Sequence, residues 1–492
     1  MKQSDESASR AQIPAAGDVS PDGGSREGLL QRVAFAVTEW SERWFPDAFV
    51  FTALAVLVVA AGALSIGAGP KNVVVSFGTG FWSLVNFTMQ MAIIVIIGYV
   101  VATSPPVKKL IDALASVPRT GRGAIAYVAL VSMVTSLLNW ALSLVFAGLL
   151  VRSLARRSDL KMDYRAAGAA GYLGLGSVWA LGISSSAAQL QANATSLPKP
   201  ILAITGVIPF SETIFTWQSM LMALILLLVS LAIAYYSAPS EARSLTATDL
   251  GIDTSAESDA LPERKRPGEW LEYSPILCVL IAALGIGWLW NEFSSKSFIV
   301  GISNLNSYNF LFFMLGLLLH WRPRRFLDAV MKAVPATAGI LVQFPLYGGI
   351  ASLLTEAKNI DGFSLSHYLA SLFVGIASTE TFPVVIGIYS AILGFFVPSG
   401  GGKWVIEVPY VMQAAIDLKV HLGWAVQIYN AAEALPNLIN PFWMLPLLGV
   451  LGLKARDLVG YTFTQFIVHV PLVLFLLWIL ASTLTYHPPV LP

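Results

Sequence analysis

The chain has 492 residues, of which 56% are hydrophobic and 12% charged, with a formal net charge of +1. Soluble globular domains carry roughly 25% charged residues, so this composition excludes a soluble enzyme or a disordered hub. The balance of 30 basic and 29 acidic residues leaves no basic excess for binding nucleic acid. Apolar runs of about 20 residues recur along nearly the whole sequence, which is typical of a polytopic membrane protein in a lipid bilayer.

A polar tail and a polar linker delimit two apolar halves. Residues 1–28 are rich in Ser, Gly and Asp and lack an apolar core, so we expect a disordered tail. Residues 29–237 are the predicted first transmembrane repeat, which opens with an amphipathic stretch, 29–45, expected on the membrane surface. Residues 238–272 are the predicted cytoplasmic linker, and residues 273–485 hold an extra span and the second repeat.

Apolar stretches that fit a bilayer crossing occur at nine places in the sequence. The predicted spans cover approximately 48–68, 84–103, 167–190, 214–236, 274–291, 306–321, 336–355, 424–451 and 461–484. Two further apolar stretches do not fit as single spans. The first, 123–151, is broken at Asn139, and the second, 365–413, is broken at 398–403 by the run Pro-Ser-Gly-Gly-Gly-Lys.

Basic residues predict the orientation, because Lys and Arg accumulate in cytoplasmic loops. The loops 104–122 and 152–165 carry four and five basic residues, yet they flank the same apolar stretch, 123–151. A single crossing would separate them, so we predict a re-entrant hairpin that enters from the cytoplasm. No Lys or Arg follows Arg456. The count therefore predicts an N-terminus inside, a C-terminus outside and a second hairpin, 365–413, that enters from the outer face.

The two halves resemble each other weakly. Residues 73–90 and 326–343 each read as a mildly polar approach followed by an apolar helix that ends in a glutamine. Each half then continues with a hairpin, a span interrupted by polar residues and a final apolar span. Inverted repeats with broken membrane segments are the architecture of secondary transporters. The predicted fold is an all-α polytopic membrane protein of two inverted repeats, with about nine spans and two opposed re-entrant hairpins.

The break in the second hairpin is the most informative stretch for function. Glycines and proline interrupt a membrane helix, and such unwound backbone is tolerated at membrane depth only beside a cavity or inside protein. Glycine lets the main chain approach a ligand closely, and the N–H groups that open the next helix favour an anion. The predicted substrate-binding residues here are Ser399, Gly400, Gly401, Gly402 and Lys403. The alternative is a surface loop with the lysine in water.

Other polar residues interrupt the apolar segments and are further candidates. Those predicted to contact substrate are Asn139, Ser184, Ser185, Gln343, Asn437 and Asn440. Asn430 and Glu433 are predicted to hold the coupling ion, because freed carbonyls suit Na⁺ and a glutamate can carry H⁺. Each of these residues could instead serve packing, and Asn139 could simply bond a neighbouring helix. Glu380 and Glu407, which border the second hairpin, are expected to face the outer water.

The order of these motifs resembles that of the bacterial short-chain fatty acid transporters over roughly residues 30–485. The specific strings are Pro-Ser-Gly-Gly-Gly-Lys-Trp at 398–404 and Gly-Ile-Leu-Val-Gln-Phe-Pro at 339–345. Weaker support comes from the residues at 81–82, 89–91, 104–108, 138–140, 440–443 and 456–457. The chain departs from the family pattern at Ala141-Leu142-Ser143 and at 179–186, where relatives are richer in glycine.

The resemblance implies uptake of short-chain carboxylates such as acetoacetate or butyrate across the bacterial inner membrane. We expect alternating access with symport of a cation, H⁺ or Na⁺, and no other cofactor, because inward movement of an anion opposes the membrane potential. Another small mono- or dicarboxylate and an anion channel remain alternatives. An intramembrane enzyme is disfavoured, since the sequence has no metalloprotease or phosphate-loop motif and its five histidines show no metal-ligand spacing. The chain could assemble as a homodimer.

Overall fold

The computed structural model describes residue 43 and residues 48–255, 261, 263–296 and 298–491. The predicted tail, 1–28, and almost all of the amphipathic stretch, 29–45, lie outside the described residues. Within the described residues every regular element is a helix, apart from an isolated bridge between Lys358 and Ser364. The prediction of an all-α membrane protein is confirmed at this level.

Within the described residues, ten α-helices precede the linker. They are α1 (Ala48–Ser65), α2 (Pro70–Phe81), α3 (Val85–Ala102), α4 (Pro105–Ala115), α5 (Gly121–Leu138), α6 (Trp140–Ala155), α7 (Tyr164–Leu173), α8 (Ser186–Gln191), α9 (Lys199–Thr205) and α10 (Trp217–Ser237). Three short 3₁₀ turns, Trp82–Leu84, Trp179–Leu181 and Phe210–Glu212, and a π-helical turn, Gly174–Val178, connect or interrupt them.

Twelve α-helices follow within the described residues. They are α11 (Glu269–Tyr273), α12 (Ile276–Ser294), α13 (Phe298–Ser303), α14 (Leu305–His320), α15 (Pro323–Ala333), α16 (Ala338–Glu356), α17 (Leu365–Ile376), α18 (Phe382–Phe396), α19 (Gly400–Asp417), α20 (Leu422–Asn437), α21 (Leu445–Leu451) and α22 (Ala455–Ala481). Two 3₁₀ turns, Val334–Thr337 and Pro441–Met444, precede α16 and α21.

Two antiparallel helix pairs occupy the predicted hairpin stretches. In the first hairpin, α5 and α6 meet at Asn139, and the Ser143 hydroxyl donates to the Ser132 carbonyl across the pair at 2.7 Å. In the second hairpin, α18 and α19 meet at residues 397–399, and the hydroxyls of Tyr389 and Tyr410 lie 2.7 Å apart. The predicted stretch 365–413 contains three helices in the structure. Helix α17 precedes the hairpin, and α18 and α19 are its two arms.

Two spans are interrupted at the places where the sequence predicted a break. The first broken span runs from α7 through the π-helical turn to α8, with an irregular stretch at 182–185. The second broken span comprises α20 and the segment Pro441–Leu451, which bends away from it by 77°. Pro436 and Pro441 flank this bend, and proline lacks the N–H that an uninterrupted helix requires.

Length and composition qualify seven of the described helices as membrane spans, or up to eight if the bent pair is one span. The predicted spans at 48–68 and 306–321 correspond to the shorter helices α1 and α14. The count of nine spans, the inverted repeats and the orientation of the termini therefore remain predictions. One large apolar core joins helices from both halves and includes residues of both hairpins.

The predicted linker, 238–272, begins as ordered chain packed against the first half. The buried carboxylate of Asp163 accepts from the N–H groups of Ala166 and Leu245, at 2.9 and 3.0 Å. Arg152 donates to the carbonyls of Val450 and Asp253, at 3.1 and 2.9 Å. The linker and the end of the first hairpin are therefore bonded to each other and to the second broken span.

Candidate functional site

The tip of the first hairpin is bonded to the break in the first broken span. Asn139 ends α5 and caps α6, where its side chain accepts from the N–H of Leu142 at 2.9 Å. The next N–H, that of Trp140, donates to the hydroxyl of Ser184 at 2.8 Å, and the N–H of Ser184 donates to the carbonyl of Leu137. The sequence-predicted residues Asn139 and Ser184 are thus brought together.

The tip of the second hairpin has a similar arrangement. Ser399 caps α19 by accepting from the N–H of Gly402 at 3.2 Å. Asn440, in the break of the second broken span, donates from its amide to the carbonyl of Phe395 at 3.1 Å. Phe395 lies two residues before Val397, which ends α18, just as Leu137 lies two residues before Asn139. In each hairpin, the carbonyl two residues before the end of the first arm therefore accepts a hydrogen bond from the broken span of the same half.

The glycines of the second tip are packed against rings rather than lining open space. A Cβ on Gly400 would lie 2.3 Å from the ring of Trp179, and one on Gly401 would lie 2.9 Å from that of Phe87. A Cβ on Gly402 would lie 2.1 Å from the ring of Tyr347. Glycine is required here because the backbone approaches side chains from three other elements closely.

Lys403, one turn into α19, is fully buried and contacts two carboxylates. Its ammonium lies 2.8 Å from Glu407 Oε1 and 2.9 Å from Glu433 Oε2. It also donates to the carbonyl and the hydroxyl of Ser390, at 2.9 and 2.7 Å, and lies 4.3 Å from the ring centre of Tyr429. Both carboxylates are completely buried. We call Lys403, Glu407 and Glu433 the charged triad.

The expectation that Glu407 faces the outer water is wrong. It lies one helical turn after Lys403 on α19, so the two side chains share a face and pair at i, i+4. That spacing was visible in the sequence and could have identified the pair. Glu380, the other acidic residue bordering the second hairpin, is exposed as expected.

The remaining predicted residues fall into three local settings. Ser185 caps α8 and donates to Asn430 Oδ1 at 2.9 Å, while the amide of Asn430 donates to Gln427. Gln343 accepts from the hydroxyl of Tyr347 at 3.0 Å and so lies behind the ring that covers Gly402. Asn437, at the end of α20, is buried.

Several buried hydrogen-bond donors near the tips and breaks have no partner among the described residues. They are the indole N–H groups of Trp140, Trp179 and Trp404 and the side-chain amide groups of Asn139 and Asn437. Buried polar groups are normally paired, and unpaired ones mark sites that water or a ligand completes. Trp140 and Trp404 follow the two tips, and Trp179 and Asn437 belong to the two broken spans.

A cavity of about 980 Å³ opens on the face that carries the basic loops. Its lining includes side chains from the first hairpin and the second broken span, among them Val145, Leu149 and Val450. Six of its lining residues are basic and two are acidic. The basic ones are Lys108, Lys109, Arg152, Arg156, Arg325 and Lys332, and the acidic ones are Asp112 and Asp328.

No group of three His, Cys, Asp or Glu side chains in the described part of the chain is arranged to hold a metal ion. The model of the family described as short chain fatty acid transporter matches residues 29–480. The chain belongs to this family. The family resemblance predicted from the sequence is confirmed.

Two relatives support the same assignment. A protein of Escherichia coli strain K12 assigned as a short-chain fatty acid transporter is 35% identical over 439 residues, which are 89% of this chain and 96% of that protein. A Haemophilus influenzae protein with the same assignment is 31% identical over 90% of this chain and 98% of its own length. The family and these relatives are transporters and not enzymes, so this chain is a multi-pass transporter.

The fold is similar to that of a solved transporter of low sequence identity. The YdaH transporter of Alcanivorax borkumensis superimposes with a TM-score of 0.53 at 16% identity, over 89% of this chain and 98% of that one. At this identity the likeness shows the fold alone.

Proposed function

We propose that this protein is a secondary transporter that brings short-chain carboxylates, such as acetoacetate and butyrate, into the cell. It would act in the bacterial inner membrane by alternating access, together with a cation. Membership of the short-chain fatty acid transporter family supports the substrate class. The two hairpins and two broken spans support a secondary transporter, because such folds bind substrate where interrupted helices meet.

The observation that carries the substrate proposal is the set of unpartnered donors at the tips. The indole N–H groups of Trp140, Trp179 and Trp404 and the amide of Asn437 are buried without partners among the described residues. Carboxylates are acceptors only, so a donor-rich site at two helix N-termini suits them. The rings of Trp179, Phe87 and Tyr347 would contact the short alkyl chain. In this proposal these donors are positioned by Ser399, Asn139 and the tip glycines.

Coupling to a cation follows from the charge of the substrate. Moving one negative charge against a potential of 100 mV costs about 2.3 kcal/mol, so accumulation of an anion in the cell needs at least one co-transported positive charge. Glu433 and Asn430 are the predicted coupling-ion residues. Both side-chain ends of Asn430 are bonded to neighbours, whereas Glu433 keeps one oxygen without a partner among the described residues. This favours Glu433.

The basic cavity is the proposed exit to the cytoplasm. It lies on the face with the basic loops, and its lining reaches α6 and the second broken span. The Lys and Arg side chains of its lining would attract a released carboxylate. We therefore propose that this conformation is open to the cytoplasm. A homodimer remains a prediction about the assembly.

Counterflow of labelled butyrate and acetoacetate in proteoliposomes tests the proposal. Saturable counterflow is expected of a carrier, whereas unsaturable flux without counterflow would indicate an anion channel. Trp179→Phe keeps a ring but removes the N–H, and hydrogen bonds to charged groups contribute about 1.5–3 kcal/mol. We expect the KM for uptake to rise about tenfold or more.

Trp217→Phe is the matched control, because Trp217 lies in α10 and its side chain is 54% exposed. It should leave uptake unchanged. Wild-type protein that shows no counterflow with any mono- or dicarboxylate of up to six carbons would refute the proposed function. Equal uptake by Trp179→Phe and Trp217→Phe would refute the place of Trp179 in the site.

A further inference from the structure

We propose that Glu433 carries the coupling proton, and that Lys403 and Glu407 hold it beside the second hairpin tip as a permanently paired ammonium and carboxylate. This inference rests on the proposed function and specifies its coupling ion. It assigns Lys403 to the proton site and not to the substrate carboxylate, in contrast to the role predicted from the sequence.

The charged triad has more acidic than basic groups. The charged triad contains one ammonium and two carboxylates, and all three side chains are completely buried. Buried charges are stable only when they are paired, so two ionised carboxylates around one ammonium leave a negative charge in excess. One added proton makes the triad neutral.

The hydrogen bonds of Lys403 also indicate that the charged triad takes up one proton. An ammonium has three hydrogens, and those of Lys403 are directed to the Ser390 carbonyl, the Ser390 hydroxyl and Glu407 Oε1. Glu433 Oε2 lies 2.9 Å from the nitrogen but receives no aligned hydrogen bond. Four oxygen atoms therefore surround an ammonium that has three hydrogens, and Glu433 Oε2 is the one left without a hydrogen.

The two carboxylates differ in how well they are held as anions. Glu407 Oε1 accepts from Lys403 and from the hydroxyl of Ser390, at 2.8 and 3.2 Å, and only its Oε2 lacks a partner among the described residues. Glu433 has no aligned donor on either oxygen, and its Oε1 contacts no polar partner among the described residues. A carboxylate that lacks donors is the better place for a proton, so the geometry selects Glu433 over Glu407.

Among the described residues, the other titratable side chains that face the charged triad are tyrosines. Tyr429 packs on Lys403 from α20, Tyr347 faces Glu433 from α16, and Tyr389 and Tyr410 face Glu407 from the two hairpin arms. None of these supplies a second cation. On α18 the backbone approaches Glu433 at Gly394, where a Cβ would lie 2.9 Å from Glu433 Oε2.

The first hairpin has the same bonding pattern without charge. Ser143 lies four residues after the cap Asn139, as Lys403 lies four after the cap Ser399. Each donates to the carbonyl of a serine seven residues before the end of the first arm, Ser132 or Ser390. A Cβ on Gly174 of the first broken span would lie 2.6–2.7 Å from the hydroxyls of Ser132 and Ser143, so no charged side chain fits there.

The proposed step is a simple proton movement. A proton from the outer water bonds to an oxygen of Glu433, the transporter binds one carboxylate anion, and both are released to the cytoplasm after the conformational change. No electron is transferred. One proton with one monocarboxylate carries no net charge, so a pH gradient should drive accumulation and a membrane potential alone should not.

Full-length protein in proteoliposomes tests this with labelled butyrate. After subtraction of the uptake by protein-free liposomes, wild type should accumulate butyrate under an inside-alkaline pH gradient and show little response to a potassium–valinomycin potential at equal pH. Glu433→Gln leaves one ammonium and one carboxylate, so the variant should fold and retain counterflow. Its pH-driven accumulation should fall at least tenfold. The matched control Glu380→Gln changes an exposed glutamate near the same hairpin and should behave as wild type.

Three results would overturn the inference. Glu433→Gln could accumulate butyrate as wild type does, wild-type accumulation could follow a Na⁺ gradient at constant pH, or a potential alone could drive uptake. Infrared difference spectra give a readout that does not need transport. The protonated carboxylic acid band of wild-type protein should decrease as the pH is raised and should be absent in Glu433→Gln. If no carboxylate shows counterflow, the proposed function fails, and this band still decides the proton site.

Discussion

Substituting Gly402 by alanine should destabilise the protein mainly through its contact with the ring of Tyr347, although the new Cβ would also lie 2.7 Å from Ser399 Oγ. The new Cβ would lie 2.1 and 2.2 Å from two ring carbons of Tyr347, whereas carbon atoms pack at about 3.5–4.0 Å. The ring must therefore retreat by about 1.4 Å. Tyr347 is 1% exposed, and its hydroxyl bonds Thr52 and Gln343 at 3.1 and 3.0 Å, so this movement breaks two hydrogen bonds.

The magnitude follows from three contributions. Overpacking a buried site costs about 1–3 kcal/mol, and each lost hydrogen bond costs about 1 kcal/mol. Alanine in place of a helical glycine returns about 1 kcal/mol. The net loss for Gly402→Ala is therefore about 2–4 kcal/mol. Gly287→Ala is the control, because nothing lies within 4 Å of its new Cβ in α12, and it should stabilise the protein slightly.

Unfolding in mixed detergent, followed by intrinsic fluorescence, measures these changes. A double-mutant cycle with Tyr347→Ala isolates the contact, since neighbouring residues show coupling that distant ones lack. Without the ring, the cost of Gly402→Ala should fall by at least about 1 kcal/mol, and the contact of the new Cβ with Ser399 Oγ remains. If it costs the same in both backgrounds, the tip glycines do not serve close packing, and a ligand-facing role for Gly402 regains support.

Three further outcomes follow from the contacts. Lys403→Met leaves two buried carboxylates without their cation and should destabilise the protein by about 3–5 kcal/mol, whereas Glu433→Gln should cost less than half of that in the same unfolding assay. Asp163→Ala removes the cap of α7 and its bond to the linker, so it should cost about 1–3 kcal/mol and speed proteolysis within 238–272. Asn193→Ala removes hydrogen bonds to three backbone groups and should lower the melting temperature, while uptake per folded molecule stays unchanged.

The places where helices break could be predicted from the sequence. Asn139 and the run after Pro398 interrupt apolar stretches, and both became tips because a polar side chain caps the helix that follows. The bend in the second broken span coincides with two prolines for the same local reason. These features depend on neighbouring residues only, and local signals suffice for them.

The partners of the tip residues could not be predicted in the same way. Glycine composition does not reveal whether a glycine faces a ligand or a ring, and the three tip glycines contact rings from α3, α16 and the first broken span. Lys403 and Glu407 share a helix face, so their pairing was accessible from spacing. Glu433 joins them from a different helix, 30 residues further along, and no sequence pattern specifies that contact.

Each tip is bonded within its own half and also packs against the broken span of the opposite half. Trp140 of the first tip contacts Trp443 of the second broken span, with ring centres 5.4 Å apart. Gly400 of the second tip is covered by Trp179 of the first broken span. A shift of either broken span would therefore uncover the tip of the other half while it stays bonded to its own. Because Trp179 and Trp140 also carry unpartnered indole N–H groups, such a shift would change the donors offered to a carboxylate at both tips together.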